Sequence, residues 1–182
     1  MSKEEVQSNN FTITKSEVQC YKLRSNNSGL WANITVDSTG AIQITSDYGD
    51  WQYIWRSPGE PFKSFLISLN IEYLALNFNC NNEFKPDLTL IDMQIEILRA
   101  RKCNRITNSQ ARFCFDRVKE IKRKNITDLD FFIGNFYNHT WFDIFSFPPI
   151  VKGIENRFQA FFDSIWTAFI NELKIELEND KS

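Results

Sequence analysis

Acid–base or nucleophilic chemistry needs a few residue types brought close together, and this chain offers few of them. It has one histidine, His139, in "YNHTWF", which could serve as a general base only beside a nucleophile supplied by the fold. Asp47 and Asp50 are close enough for a paired-carboxylate site. They also sit in "SDYGD", where aspartates commonly bond nearby backbone and tolerate strained dihedrals. Asp116 and Glu120 are four residues apart beside Lys119 and Lys124, the pattern of ion pairing along a helix. Cys20, Cys80, Cys103 and Cys114 are scattered without a C-x-x-C, so a zinc site would need at least three of them to converge with His139. They are expected to be reduced thiols. Glycines stand alone at 29, 40, 49, 59, 134 and 153, and neither phosphate-loop pattern is present. The nucleophile-elbow and H-E-x-x-H patterns are missing too. These residues lead us to expect no enzyme, no metal and no cofactor.

Charge is more informative. The formal net charge is −2, yet it is unevenly spread. Arg99, Arg101, Lys102, Arg105, Arg112, Arg117, Lys119, Lys122, Arg123 and Lys124 are ten cations opposed within the segment only by Asp116 and Glu120, a local charge of +8. From Asn125 to Pro149 there are three aspartates and no Lys or Arg. The basic segment could grip phosphates or an acidic partner surface. It could equally solvate the exposed faces of two helices. Only Phe113 and Phe115 interleave with it, which gives little support to stacking on single strands.

The elements that must position these residues are legible from periodicity. "FTITKSEVQCYKLR", "GLWANITVD", "AIQITSD" and "DWQYIWR" alternate apolar and polar residues, with turn clusters between them. They predict an antiparallel meander of four or five strands. Leu30, Ala32, Ile34 and Val36 should share one face opposed by Ile42 and Ile44, and Trp51, Tyr53 and Trp55 form a stripe that needs covering. After "SPGEP" the pattern turns helical. Short helices are expected at "PFKSFLISL" and "IEYLALNF". Capping boxes at Thr89/Asp92, Thr107/Gln110 and Thr127/Asp130 open three more. Their expected buried faces are Leu88, Ile91, Ile95, Leu98; then Cys114, Val118, Ile121; then Leu129, Phe132, Ile133, Phe136. A last helix after Pro148 and Pro149 carries Ile154, Phe158, Phe161, Phe162, Ile165, Phe169, Leu173 and Leu177. The expectation is a single α+β domain over 1–182. Its sheet part, 10–56, is a β-meander packed against a helical part, 61–179, of about five helices.

Aromatic residues make up 15% of the 182 residues, with Phe at 17 positions, which argues for large packed elements. The start "MSKEEVQSNNF" has no apolar core of a secretory signal, and charges interrupt Ile154 to Leu177, the longest apolar stretch. A soluble, cytoplasmic protein with no membrane partner is expected.

The run "ITSDYGDWQYIWRSPGEPFKSFLISLNIEYLALNF" resembles a loose family of small proteins encoded by phages and prophages. The likeness rests on Ser46, Asp47, Tyr48, Gly49, Trp51, Tyr53, Trp55, Phe65, Leu66, Tyr73 and Leu74, and more loosely on the closing Pro-led helix. It implies no residue role. It implies a context, an accessory phage gene of the kind that acts against host defence, as anti-CRISPR proteins do by occluding a host protein or its nucleic-acid site. The resulting expectation is a non-enzymatic protein that inhibits a host defence protein or ribonucleoprotein by contact, through the ten cations from Arg99 to Lys124. A nucleic-acid-binding accessory protein is the alternative. A phage enzyme using Asp47, Asp50 and His139 is the third reading. The oligomeric state stays open.

Overall fold

Alternation decides the first third of the chain. In the computed structural model, which describes residues 5–8, 11–14 and 18–180, Ala32, Ile34 and Val36 point to one face of a strand and are buried, while Asn33 on the other face is exposed. The strands are β1 (Glu5–Ser8), β2 (Phe11–Thr14), β3 (Val18–Arg24), β4 (Trp31–Asp37), β5 (Ala41–Ser46) and β6 (Gly49–Ile54). β3 to β6 form the expected four-stranded antiparallel meander, and β1 pairs with β2 as a separate antiparallel two-stranded sheet. The β stretch expected from Phe11 to Arg24 forms two strands, β2 and β3, which pair with different neighbours. Residues 15–17, also part of that expectation, lie outside the described residues, as does position 10 at the start of the expected sheet part. Register sets Val36 opposite Ile42 and Ile34 opposite Ile44, and then Ile44 opposite Trp51. Cross-strand apolar pairs of this kind are the basic stabilising unit of a sheet.

The sheet belongs to the first of two compact units, which comprises the chain up to Asn81 and from Ile154 onward. Three helical rods cover its apolar face. They are α1 (Phe62–Ser68), α2 (Ile71–Asn77), and the unbroken run of α6 (Asn156–Phe161), a π turn (Phe162–Trp166) and α7 (Thr167–Asn179). Asn70 caps α2 by accepting from the Tyr73 N–H at 2.8 Å. Trp51 and Trp55 are buried as expected. Trp51 meets Phe158 and Phe161 at 5.1 and 4.8 Å between ring centres, and Trp55 meets Phe65 at 5.4 Å. Burying such rings is worth roughly 1.5–3 kcal/mol each. The stripe is thus core, and its aromatic residues need no ligand to explain them.

The π turn admits one extra residue into the last helix. Thr167 Oγ1 donates to Phe162 O at 2.9 Å, five residues back. The buried set therefore reads Phe158, Phe161, Ile165, Trp166, Phe169, Ile170 and Leu173, with Phe162 and Leu177 only partly covered.

The second unit, Asn82–Gly153, contains α3 (Pro86–Lys102), α4 (Asn108–Arg123) and α5 (Leu129–Tyr137). A two-residue pairing of β7 (Glu83–Phe84) with β8 (Lys152–Gly153) joins its ends. Its core is Leu90, Met93, Ile97, Ala100, Cys114, Val118, Ile121, Phe132, Phe136 and Trp141 among others. The face expected for α4 holds, with Cys114, Val118 and Ile121 buried, while of the face expected for α5 Phe132 and Phe136 are buried and Leu129 and Ile133 only partly so.

The face expected for α3 does not hold. Leu90, Met93, Ile97 and Ala100 point inward, while Leu88, Ile91, Ile95 and Leu98 are 40–58% exposed. The two sets share the spacing three, four, three and differ by a shift of two residues, which turns them to nearly opposite sides of the rod. Period alone could not choose between them.

Two of the three expected caps also moved. Only Thr107 and Gln110 form the reciprocal capping box. Pro86 starts α3 three residues before Thr89. Thr89 is buried in the helix, and its hydroxyl accepts the Val151 N–H at 3.0 Å. At α5 the cap is Asp128, not Thr127, and it accepts from Phe131 N at 2.8 Å. Asp is the better N-cap of the two.

The architecture is α+β: a four-stranded antiparallel sheet followed, among the described residues, by six helical rods. The helical part, 61–179, is shared between the two units.

Candidate functional site: a basic helical hairpin

All ten cations expected to form the site lie in the second unit, on the end of α3, the following turn and α4. The turn is built by backbone chemistry. Asn104 takes the left-handed conformation at φ 56°; its N–H reaches Arg101 O at 3.1 Å, and Arg105 N–H reaches Ala100 O at 2.9 Å. This is the Schellman pattern of helix termination, in which Asn is a common substitute for Gly. Buried Ile106 and the Thr107 capping box then launch α4. α4 also ends at a left-handed asparagine, Asn125 at φ 48°, whose N–H reaches Lys122 O at 3.0 Å.

Inward Ala111, Cys114, Val118 and Ile121 turn the opposite side of α4 to solvent, and that side carries Arg112, Asp116, Lys119 and Arg123. Arg112 and Lys119 share the single carboxylate of Asp116 at 3.7 and 3.6 Å. Glu120 is the second anion of the segment, 2.7 Å from Arg117 and 3.5 Å from Lys124. The Arg117 guanidinium, with Lys124 beside it, holds the Glu120 carboxyl below its usual range. Arg117 also lies over the Phe113 ring, 4.7 Å from its centre, and Phe113 packs edge-on against Phe142. Phe113 thus has intramolecular contacts with Arg117 and Phe142 and remains partly exposed. Lys124 reaches buried Asn135 at 3.0 Å, Arg99 pairs with Glu96, and Arg101 bonds Asn104 and Asn108.

Among the described residues, four of the ten cations make no ion pair or side-chain hydrogen bond. They are Lys102 and Arg105 at the α3–α4 turn, and Lys122 and Arg123 at the far end of α4, and all four are exposed. Exposed ion pairs are worth about 0–1 kcal/mol, so Arg112, Lys119 and Arg99 could exchange their partners for an external anion at little cost. Arg117 and Lys124 are bound more closely into the unit. The segment therefore divides into structural cations and available ones, a distinction that counting charges does not reveal.

The other candidate chemistry is distributed differently. Asp47 accepts the Trp31 N–H at 2.8 Å, fastening its turn to β4, and Ser46 rather than an aspartate ties the turn itself through Tyr48 N and Gly49 O. Both aspartates belong to the sheet unit and His139 to the helical unit. His139 follows α5 with its ring edge-on to Trp141, and its Nε2 is buried with no hydrogen-bond partner among the described residues. Burial pulls its pKa below the ordinary value. Burial likewise pushes the Cys80 and Cys114 thiols up, while Cys20 and Cys103 are exposed and all four are free thiols. Among the described residues no three His, Cys, Asp or Glu side chains are grouped to hold a metal, and no helix is long and apolar enough to cross a membrane.

What the second unit presents is an α-helical hairpin with a cationic outer side. The whole chain is identified by its family: residues 11–174 match the model of Phage_phiTE_072, a phage family, and the chain belongs to it. No curated protein and no solved structure matches it.

Proposed function

We propose that this phage-family protein acts by contact rather than catalysis, and that the basic hairpin grips an acidic surface of a host anti-phage defence complex in the host cytoplasm. One observation carries this reading. Lys102, Arg105, Lys122 and Arg123 are exposed at the two ends of α4 with no internal partner among the described residues, in a segment far more basic than the chain as a whole. Unneutralised charge concentrated on one rod raises encounter rates with an anionic partner and sets its orientation. Membership of a phage family supports the biological setting.

The second reading, a nucleic-acid-binding accessory protein, is favoured by Arg112, Lys119 and Arg123 lying in a row along one side of α4. At 1.5 Å per residue they span about 16 Å. Such a row could follow a phosphate backbone.

The test compares the wild-type chain with the combined variant Lys102→Glu, Arg105→Glu, Lys122→Glu, Arg123→Glu in quantitative pull-downs from host lysate treated with nuclease. These four positions hold no ion pair within the described residues, so the fold is expected to survive. A defence component retained by the wild type and reduced at least tenfold by the variant supports the reading, and equal retention refutes it. In the absence of lysate, DNA or RNA shifted at low salt and released steeply as salt rises would favour the second reading.

A further inference from the structure

Helix α3 has an exposed apolar face that its own unit does not cover. Leu88, Ile91, Ile95 and Leu98 are 52, 51, 40 and 58% exposed, although each belongs to a repeat as regular as the buried one. Scattered surface leucines need no explanation, but four in line at three, four, three spacing form the narrow seam of a helix pair.

The seam is a palindrome. Read from either end it gives Leu, Ile, Ile, Leu at the same spacing, centred on Met93. A two-fold axis normal to the helix at Met93 would exchange Leu88 with Leu98 and Ile91 with Ile95. Such a pattern suits an isologous interface, in which residue i of one copy meets j of the other and j meets i. A seam for an unrelated partner has no reason to repeat itself in reverse.

Charge selects the direction. The first turn of α3 carries Asp87, and the last turn carries Arg99, Arg101 and Lys102. Two parallel copies would set three cations against three. Two antiparallel copies set Asp87 of one against the basic end of the other, and they also oppose the helix dipoles. We propose that the Leu88–Leu98 face is the seam of an antiparallel, two-fold symmetric pair of α3 helices from two copies of this chain.

Length bounds the strength of the pair. α3 has 17 residues, about 25 Å at 1.5 Å each. A seam this short falls below the roughly 800 Å² per partner of a standard stable interface, so the dimer should dissociate on dilution.

The experiment is sedimentation equilibrium of the full chain from about 1 to about 200 μM, with the double variant Ile91→Lys, Ile95→Lys alongside. The wild type is expected to rise with concentration from 21.5 kDa toward twice that mass. The variant should stay monomeric with an unchanged thermal midpoint. A wild type that is monomeric throughout overturns the proposal. If the variant then also melts lower, the stripe packs within the chain; if it melts unchanged, the face serves another partner. A variant that dimerises as well as the wild type overturns it equally.

Direction is read by oxidative crosslinking in a Cys20→Ser, Cys103→Ser background. Leu88→Cys combined with Leu98→Cys should crosslink two chains, while Leu88→Cys alone should not. Crosslinking of the single variant would indicate a parallel pair and contradict the antiparallel arrangement.

Discussion

Gly40 lies directly beneath the backbone of Trp55. Its carbonyl accepts the Trp55 N–H at 2.9 Å, and a Cβ placed on it would stand 2.2 Å from the Trp55 carbonyl oxygen. Gly40 also has φ 92°, in the region that favours glycine. The β4–β5 turn and the end of β6 are thus locked together at a point where no side chain fits. Gly40→Ala is expected to cost at least about 1–3 kcal/mol from backbone strain alone. It should also displace Trp55 from Phe65. Urea denaturation with tryptophan fluorescence would measure the loss; a midpoint within error of the wild type would contradict this packing.

His139 is the only histidine, so one imidazole resonance reports it without ambiguity. Its pKa is lowered chiefly by burial, with Arg117 and Lys124 lowering it further and Glu120 opposing them. The unfolded chain then takes up the proton before the folded one does. The stability this group contributes is complete above the unfolded value of about 6.5 and declines as pH falls from there toward the folded pKa. An NMR titration should give a midpoint below 6.5. A midpoint at or above that value would place the ring in water.

Thr89 and Thr107 both lie in sequence patterns that suggest helix caps, and their different roles give different expected losses. Thr107→Ala removes a surface capping box and should cost about 1 kcal/mol. Thr89→Val preserves shape but leaves the Val151 N–H without its acceptor, at about 1–3 kcal/mol. Hydrogen exchange should show Val151 losing protection in the second variant and not in the first. Equal protection in both would return Thr89 to a capping role.

These two threonines also mark how far the sequence could be read. The meander was legible because strand alternation has only two phases, and Val36, Ile42, Ile44 and Trp51 occupy one of them throughout. The cover over Trp51 and Trp55 followed from the same rule. α3 was not legible in this way. Its two apolar stripes are equally regular, and only the packing of Cys114, Val118 and Phe132 against Leu90, Met93 and Ile97 decides which one is buried. Pro86 was a start signal in its own right, and giving it weight over Thr89 would have placed the helix correctly. The basic segment was visible as composition. Which of its cations are already engaged depends on Glu96, Asp116, Glu120 and Asn135 reaching them in space. That is why Arg117 and Lys124 became structural while Lys102, Arg105, Lys122 and Arg123 stand exposed without an ion pair among the described residues.

The proposed function requires the available cations of the α3–α4 hairpin to be the contact surface. The most direct measurement is the ratio of host defence components retained by the wild-type chain to those retained by the Lys102→Glu, Arg105→Glu, Lys122→Glu, Arg123→Glu variant. Both chains are compared by quantitative mass spectrometry after circular dichroism has established equal folding. At least one component is expected to be enriched tenfold or more on the wild type alone. The same components at equal abundance on both chains would contradict the proposed function.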